Sequence, residues 1–343
     1  MEKKVSTDEL KKSGIHTYEE ILSKIQRRLK EQEIPPPAKR LRRGIAYTKN
    51  IYIKRLETVY NILVSEIDRI IDALKKTAGL QAFYKELFKI KTGYYPEQYI
   101  SFFKNKKRIL KRIYTEYLVP IKLTDNLLEA RIKYRACLGR LLSVLKRHKK
   151  SLVLIKEVIR ELSRMPNIEE DDLKIIIAGM PQVGKSTLVS KLSTAKPEIA
   201  PYPFTTKNII VGHRVISSAK RIAFIDTPGL LDRPLEERNE IELKAILALK
   251  YLADKIVFLI DASPNAYYSI EEQIRVLNDV RRSINAPTIV CINKIDITPR
   301  DRIDQVREII SKSVQIDPKY ILEISAYQGK GLDTLLDKII NDP

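Results

Sequence analysis

The sequence predicts two domains: an α/β domain with a mostly parallel sheet and helices on both faces, preceded by an all-α helical bundle domain. Three observations carry this. Over residues 171–343, strand-like apolar runs alternate with amphipathic helical stretches, the pattern of crossover units on a parallel sheet. Residues 1–170 hold Leu, Ile, Lys and Arg at helical spacing, with glycine confined to Gly14, Gly44, Gly79, Gly93 and Gly139. Charge divides at the same place: residues 1–170 carry 39 Lys and Arg against 20 Asp and Glu, net +19, whereas 171–343 carry 24 against 23, net +1. At 343 residues, two domains, 1–170 and 171–343, match ordinary domain size.

In the first domain, Pro35-Pro36-Pro37 separates a helix near 18–32 from the rest of the bundle. Residues 45–76 place Ile51, Leu56, Val59, Leu63, Ile67, Ile70 and Leu74 at steps of three and four, one apolar stripe on a long helix. Shorter helices are expected near 80–90 and 96–117, around a Gly93/Pro96 break. A last long helix is expected over 122–163, from Leu127, Cys137, Leu141, Leu145, Leu152, Ile155 and Leu162. Packed antiparallel, such helices form a bundle. In the second domain, strands are expected near 173–178, 208–216, 221–226, 255–261, 288–293 and 320–325. Helices are expected there near 185–194, 237–252, 269–284, 302–314 and 331–341.

The motifs fall where these strands end, which is where ligands bind in such sheets. Gly179-Met180-Pro181-Gln182-Val183-Gly184-Lys185-Ser186-Thr187 comes directly after the first strand and fits G-x-x-x-x-G-K-S, the phosphate-binding P-loop. Gly179 and Gly184 let the backbone wrap a phosphate at a helix N-terminus. Lys185 would reach the β- and γ-phosphates and Ser186 would ligate Mg²⁺. The base is chosen by Asn293-Lys294-Ile295-Asp296. Asp296 can accept from guanine N1–H and its exocyclic amine, Asn293 can donate to the O6/N7 edge, and the Lys294 stem can lie over the ring. Rejecting a base that leaves such groups unpaired gives roughly 10⁴-fold discrimination. GTP or GDP is therefore the expected ligand. In Asp226-Thr227-Pro228-Gly229, Asp226 would hold Mg²⁺ through water and the Gly229 N–H would sense the γ-phosphate. Ser325-Ala326 fits a loop whose N–H contacts guanine O6. Pro201-Tyr202-Pro203-Phe204-Thr205-Thr206 suits a switch loop, with Thr206 rather than Thr205 closing the Mg²⁺ shell. Each piece alone could be an ordinary turn; the ordered set is a P-loop GTPase domain.

Composition excludes other classes. No apolar run approaches the roughly 20 residues of a membrane span, and Met1-Glu2-Lys3-Lys4 leads into no signal-like segment. Cys137 and Cys291 form no C-x-x-C pair, which fits a reducing cytoplasm. His16, His148 and His213 have no metal-ligand spacing.

The excess charge clusters at Lys104, Lys106, Lys107 and Arg108, at Arg140, Lys146, Arg147, Lys149 and Lys150, and at Lys39, Arg40, Arg42 and Arg43. Each run alone could be a solvated helix face. Net +19 in one domain is self-repelling unless a polyanion relieves it, which points to RNA. A protein partner for the bundle stays open as the alternative, and a monomer without membrane contact is expected.

The set Gly-x-Pro-x-Val-Gly-Lys-Ser, Pro-Tyr-x-Phe-Thr-Thr-Lys, Asp226-Thr227-Pro228-Gly229 continuing to Asn239, and Asn-Lys-x-Asp resembles the Obg-related GTPases. The stretches 226–239 and 136–152 are similar to the nucleolar GTP-binding (NOG) branch in particular. The resemblance spans essentially the whole chain. It implies a GTPase acting in large ribosomal subunit assembly, its helical domain contacting rRNA or pre-ribosomal particles, in a short archaeal-type form without the eukaryotic C-terminal extension.

One departure bears on chemistry. Leu230 stands where Ras-type enzymes place the glutamine that orients the attacking water. Slow intrinsic hydrolysis is expected, with another side chain, a partner or K⁺ supplying the missing function. Related cation-activated GTPases place Asn where this chain has Gln182, a departure that counts against K⁺, although Gln offers the same amide on a longer arm.

Overall fold

The computed structural model describes residues 7–32, 44–166, 168–203, 207–217, 220–232 and 240–341. The chain divides into two compact units. The first comprises the described residues through Leu80 together with Lys91–Ser163; the second comprises Gln81–Ile90 and the described residues from Arg164 onward.

The first unit is helical: α1 (Asp8–Lys11), α2 (Tyr18–Glu31), α3 (Ile45–Ala78), then, past α4 (Ala82–Thr92), α5 (Pro96–Leu123), α6 (Leu127–Lys146) and α7 (Lys149–Leu162). Local signals set the starts. Thr17 and Glu20 form a reciprocal capping box at α2, Pro96 sits at the first position of α5, and Asn126 accepts from the Leu128 and Glu129 N–H groups at α6. The stripe foreseen on α3 is the core: Leu56, Val59, Leu63, Ile67 and Leu74 are fully buried, as are Phe103 and Leu110 of α5 and Cys137 and Leu141 of α6. Buried Glu66 on α3 ties in the N-terminal segment, accepting from Lys24 Nζ at 2.5 Å and bonded to His16 Nδ1 at 2.8 Å.

Two helical expectations are corrected. The helix expected over 122–163 is two helices, broken at Arg147-His148, where His148 takes φ −115° and ψ 19°. Leu145, Leu152 and Ile155 stay in phase across the break, so periodicity hides it. A continuous helix would stack Lys146 on Lys150, a like-charge pair one turn apart. The helix expected to end at 117 instead runs through Pro120 to Leu123; the proline removes one i→i−4 bond, that to the Glu116 carbonyl, and the helix stops three residues later.

The second unit is a seven-stranded sheet: β1 (Leu173–Ala178), β2 (Glu198–Pro201), β3 (Asn208–Ser217), β4 (Lys220–Asp226), β5 (Lys255–Asp261), β6 (Thr288–Asn293) and β7 (Leu322–Glu323), ordered β2-β3-β4-β1-β5-β6-β7. All pairings are parallel except β2–β3 and β3–β4. Strand β2 was not foreseen; its Pro201 reads as loop, and proline is tolerated here because β2 is an edge strand. Helices α8 (Lys185–Leu192), α9 (Glu240–Ala248), α10 (Ile270–Ile284), α11 (Arg300–Val314) and α12 (Leu332–Asn341) complete the α/β alternation.

Helix α4, read from sequence as part of 1–170, contributes Gln81–Ile90 to the second unit. Gln81 Nε2 donates to the Ile168 carbonyl at 2.7 Å, and the Phe83 ring lies 6.3 Å from that of Tyr202, both side chains buried.

Candidate functional site

Adjacent parallel strands β4, β1, β5 and β6 end side by side at Asp226, Ala178, Asp261 and Asn293, so the chemistry-bearing residues meet at one sheet edge. β1 runs straight into the P-loop. Gly179 holds φ +138°, and a Cβ there would lie 2.6 Å from the Leu259 carbonyl. Gly184 caps α8 at φ +103° with no side-chain cap and no acid in the first turn, leaving the helix N-terminus to an anion. Between them lie half-buried Pro181, exposed Gln182 with φ +67°, and buried Val183. Ser186 and Thr187 are exposed at the first turn of α8.

Lys185 is 8% exposed, its Nζ donating to the Gly179 and Met180 carbonyls at 2.7 and 2.8 Å. Burial lowers its pKa, against opposing pulls from Asp226 and Asp232. Asp226 is fully buried; burial raises its pKa, while the Ser186 hydroxyl, 2.7 Å from Oδ2, and Lys185 oppose. Both shifts come first from burial, which disfavours the charged form of each group. Asp226 Oδ1 and Thr227 Oγ1 are buried without a hydrogen-bond partner. Hard oxygen donors with orphaned lone pairs fit Mg²⁺.

On the far side, Asn293 has two partners within the protein. Its Nδ2 donates to the Val183 carbonyl at 2.8 Å and its Oδ1 accepts the Ala326 N–H at 2.9 Å. With one of its two amide N–H groups and its oxygen, Asn293 thus clamps P-loop to base loop, the Ala326 N–H being the other end. Lys294, at φ +62°, pairs its Nζ with Asp261 Oδ2 at 2.7 Å. Half-buried Asp296 keeps Oδ1 buried and unpartnered, the acceptor a guanine edge needs. Ser325 is fully buried, its Oγ accepting the Gln328 N–H at 3.1 Å.

Gly229 takes φ +76° and its N–H donates to Asp232 Oδ2 at 2.8 Å; a Cβ on it would lie 2.7 Å from Lys207 Cδ. Leu230 is fully buried. Thr206 lies outside the described residues.

Sequence reasoning missed Asp232, Asp261, Gln273 and Lys207. Asp261 had a legible signal, an acid ending a strand as Asp226 does; buried Gln273, which accepts the Asp261 N–H at 2.8 Å and donates to its carbonyl at 3.0 Å, had none. In the helical unit, Lys107 is paired with Asp68 and Arg140 with Glu116, whereas Lys104, Arg108, Lys146, Arg147, Lys149 and Lys150 are exposed. No helix among the described residues is long and apolar enough to cross a membrane.

A P-loop at a strand end, with buried Asp226 ending the neighbouring strand on one side and the Asn293–Asp296 loop on the other, makes the second unit a P-loop GTPase domain, here preceded by a helical domain. Comparison with known proteins agrees: residues 174–294 match a 50S ribosome-binding GTPase family, and residues 13–169 match the NOG1 N-terminal helical domain. The chain belongs to the NOG-type GTPases. It is 37% identical over 250 residues to an uncharacterized protein of Methanocaldococcus jannaschii, covering 73% of this chain and 70% of that one. It is 30% identical over 326 residues to nucleolar GTP-binding protein 1 of Caenorhabditis elegans, covering 94% of this chain but only 46% of that one. A solved structure of a Plasmodium falciparum nucleolar GTP-binding protein 1 is 30% identical, with a TM-score of 0.42, covering 52% of this chain and 91% of that one.

Proposed function

We propose that this chain is a GTP-binding and GTP-hydrolysing switch that associates with ribosomal RNA or pre-ribosomal particles in large-subunit assembly. The orphaned Asp296 Oδ1 supports the guanine part. The RNA part is supported by net +19 over 1–170 and by the relatives' description as nucleolar.

In this reading GTP lays its phosphates along Gly179–Thr187, and Lys185 exchanges two loop carbonyls for the β- and γ-phosphates. Ser186, Asp226 and Thr206 would hold Mg²⁺, which supplies neutralisation of phosphate charge. The Gly229 N–H exchanges the Asp232 carboxylate for the γ-phosphate, giving a contact that depends on nucleotide state. Buried, apolar Leu230 cannot position water, so intrinsic turnover is slow and a ribosomal particle or K⁺ accelerates it. Gln182 presents the amide for K⁺ on an exposed, left-handed residue. Single-turnover hydrolysis in Na⁺ and K⁺, with and without particles, tests this; several turnovers per second in Na⁺ alone contradicts it.

A monomer acting in the cytoplasm fits two buried thiols whose pKa values burial pushes up to about 11 at Cys137 and about 12 at Cys291, unreactive at neutral pH. The partner is tested by sedimentation with large-subunit particles in a non-hydrolysable GTP analogue. If the helical domain binds protein instead, binding loses its steep salt dependence.

A further inference from the structure

The helical unit carries a cavity of about 220 Å³ between α5 and α6, opening where the chain turns into α7. Its polar lining is Lys106, Arg140, Ser143, Arg147 and His148, over a floor of isoleucine and valine. No carboxylate lines it. Arg140 is held by contacts outside this lining, its Nη1 donating to Glu116 Oε1 at 2.8 Å and to the Tyr117 hydroxyl at 3.1 Å. Ser143 Oγ donates to the Arg140 carbonyl at 2.7 Å.

One aromatic ring organises the rest. Lys106 Nζ sits 4.6 Å over the Phe102 ring, and the His148 ring meets Phe102 edge-on, centroids 4.7 Å apart at 89°. Lys106 and Arg147 have no acidic partner among the described residues. Lys107, one position along α5, is by contrast neutralised by both Asp68 oxygens at 2.7 Å. The cavity is thus strongly positive; burial first, then Lys106 and Arg147, lower the His148 pKa. α7 opens at His148 with no capping side chain and no acid in its first turn. Two unpaired cations, with a third shared with Glu116, leave net positive charge around one concavity, which an anion bearing several acceptor oxygens would neutralise.

We propose that this cavity seats a single phosphate group, received by Lys106, Arg147 and His148 with Arg140 behind them. The inference rests on the RNA-binding reading and narrows it: the broad basic surface has one built phosphate seat. A backbone phosphate of RNA and a free phosphate compound carry the same group, and the test separates them.

The full chain, saturated with GDP, is titrated with a short RNA hairpin and separately with inorganic phosphate. The His148 imidazole proton signal, identified by its loss in His148→Gln, is followed, and RNA affinity is measured against salt. RNA should move the His148 signal, and Lys106→Gln/Arg147→Gln should flatten the slope of log K against log salt by about 1. Lys76→Gln, whose lysine is paired with Asp72, should leave the slope as it is. Phe102→Leu, which unseats Lys106 and His148 without removing charge, should weaken RNA binding and provides a second route should the double variant melt early. Movement of the His148 signal by phosphate but not RNA supports the seat and assigns it to a free phosphate compound, overturning the RNA source. RNA binding with an unchanged slope in the double variant and an unmoved His148 signal overturns the seat while the RNA reading survives. An unmoved signal with both probes and no RNA binding overturns both.

Discussion

Gly184 and Asn293 are in contact across the nucleotide site: a Cβ on Gly184 would lie 2.4 Å from Asn293 Nδ2. The missing side chain on one residue makes room for the amide of the other. That amide ties the Val183 carbonyl to the Ala326 N–H, so phosphate-binding and base-binding loops share one joint.

Gly184→Ala should therefore damage the site twice, by forcing a left-handed φ of +103° on alanine and by pushing Asn293 away. Strain of this kind costs about 1–3 kcal/mol, and nucleotide affinity should fall at least about tenfold. Calorimetric titration with GDP checks this; unaltered affinity would show that the joint is slack.

Asn293→Ala leaves a buried carbonyl and a buried N–H without their partner, each costing about 1–3 kcal/mol. Because the side chain links two loops that hold opposite ends of the ligand, GDP release should accelerate by one to two orders of magnitude. Release of a fluorescent GDP analogue, followed by stopped flow, provides the measurement.

Asp261→Asn keeps an oxygen for the Ser263 N–H, 2.9 Å from Oδ1, but removes the charge partner of Lys294. An unpinned Lys294 covers the base less well. GDP release should rise several-fold with little change in association, since most such losses appear in the off-rate. Equal changes in both rates would assign Asp261 a purely structural part.

Much of this was legible in the sequence because the site is built from strand ends and one glycine-rich loop. The apolar runs at Leu173–Ala178 and Thr288–Asn293 located both strands to the residue. The features that stayed hidden have specific physical causes. Asn293 is read from a motif as a base contact, yet its internal partners Val183 and Ala326 lie 110 and 33 residues away, invisible to local pattern. The break at His148 falls inside an unbroken apolar stripe, and Pro201 conceals an edge strand. Gln273 sits on α10 with nothing in its spacing to announce that it braces Asp261. Thr206 and the basic run at Lys39–Arg43 lie outside the described residues.

Acid should weaken the second unit through His213. Its pKa is lowered, first by burial and next by Arg221, and its Nδ1 is buried without a partner. A lowered folded-state pKa means the unfolded chain takes up the proton first. Stability is therefore complete above the ordinary imidazole value of about 6.5 and is lost as pH falls through the window below it. Thermal melting between pH 8 and 5 (about the imidazole range) should show a falling midpoint, and His213→Gln should remove part of the slope. His148, also lowered by burial, supplies another part in the first unit.

The most direct test of a guanine-selective site is calorimetric titration of the wild type and Asp296→Asn with GDP, ADP and xanthosine diphosphate. The wild type should bind GDP at least about 10³-fold more tightly than ADP, and Asp296→Asn should lose GDP while gaining xanthosine diphosphate, whose extra carbonyl meets the new amide. Equal affinity of the wild type for ADP and GDP, or undiminished GDP binding by Asp296→Asn, would contradict the assignment of Asp296 and the switch built upon it.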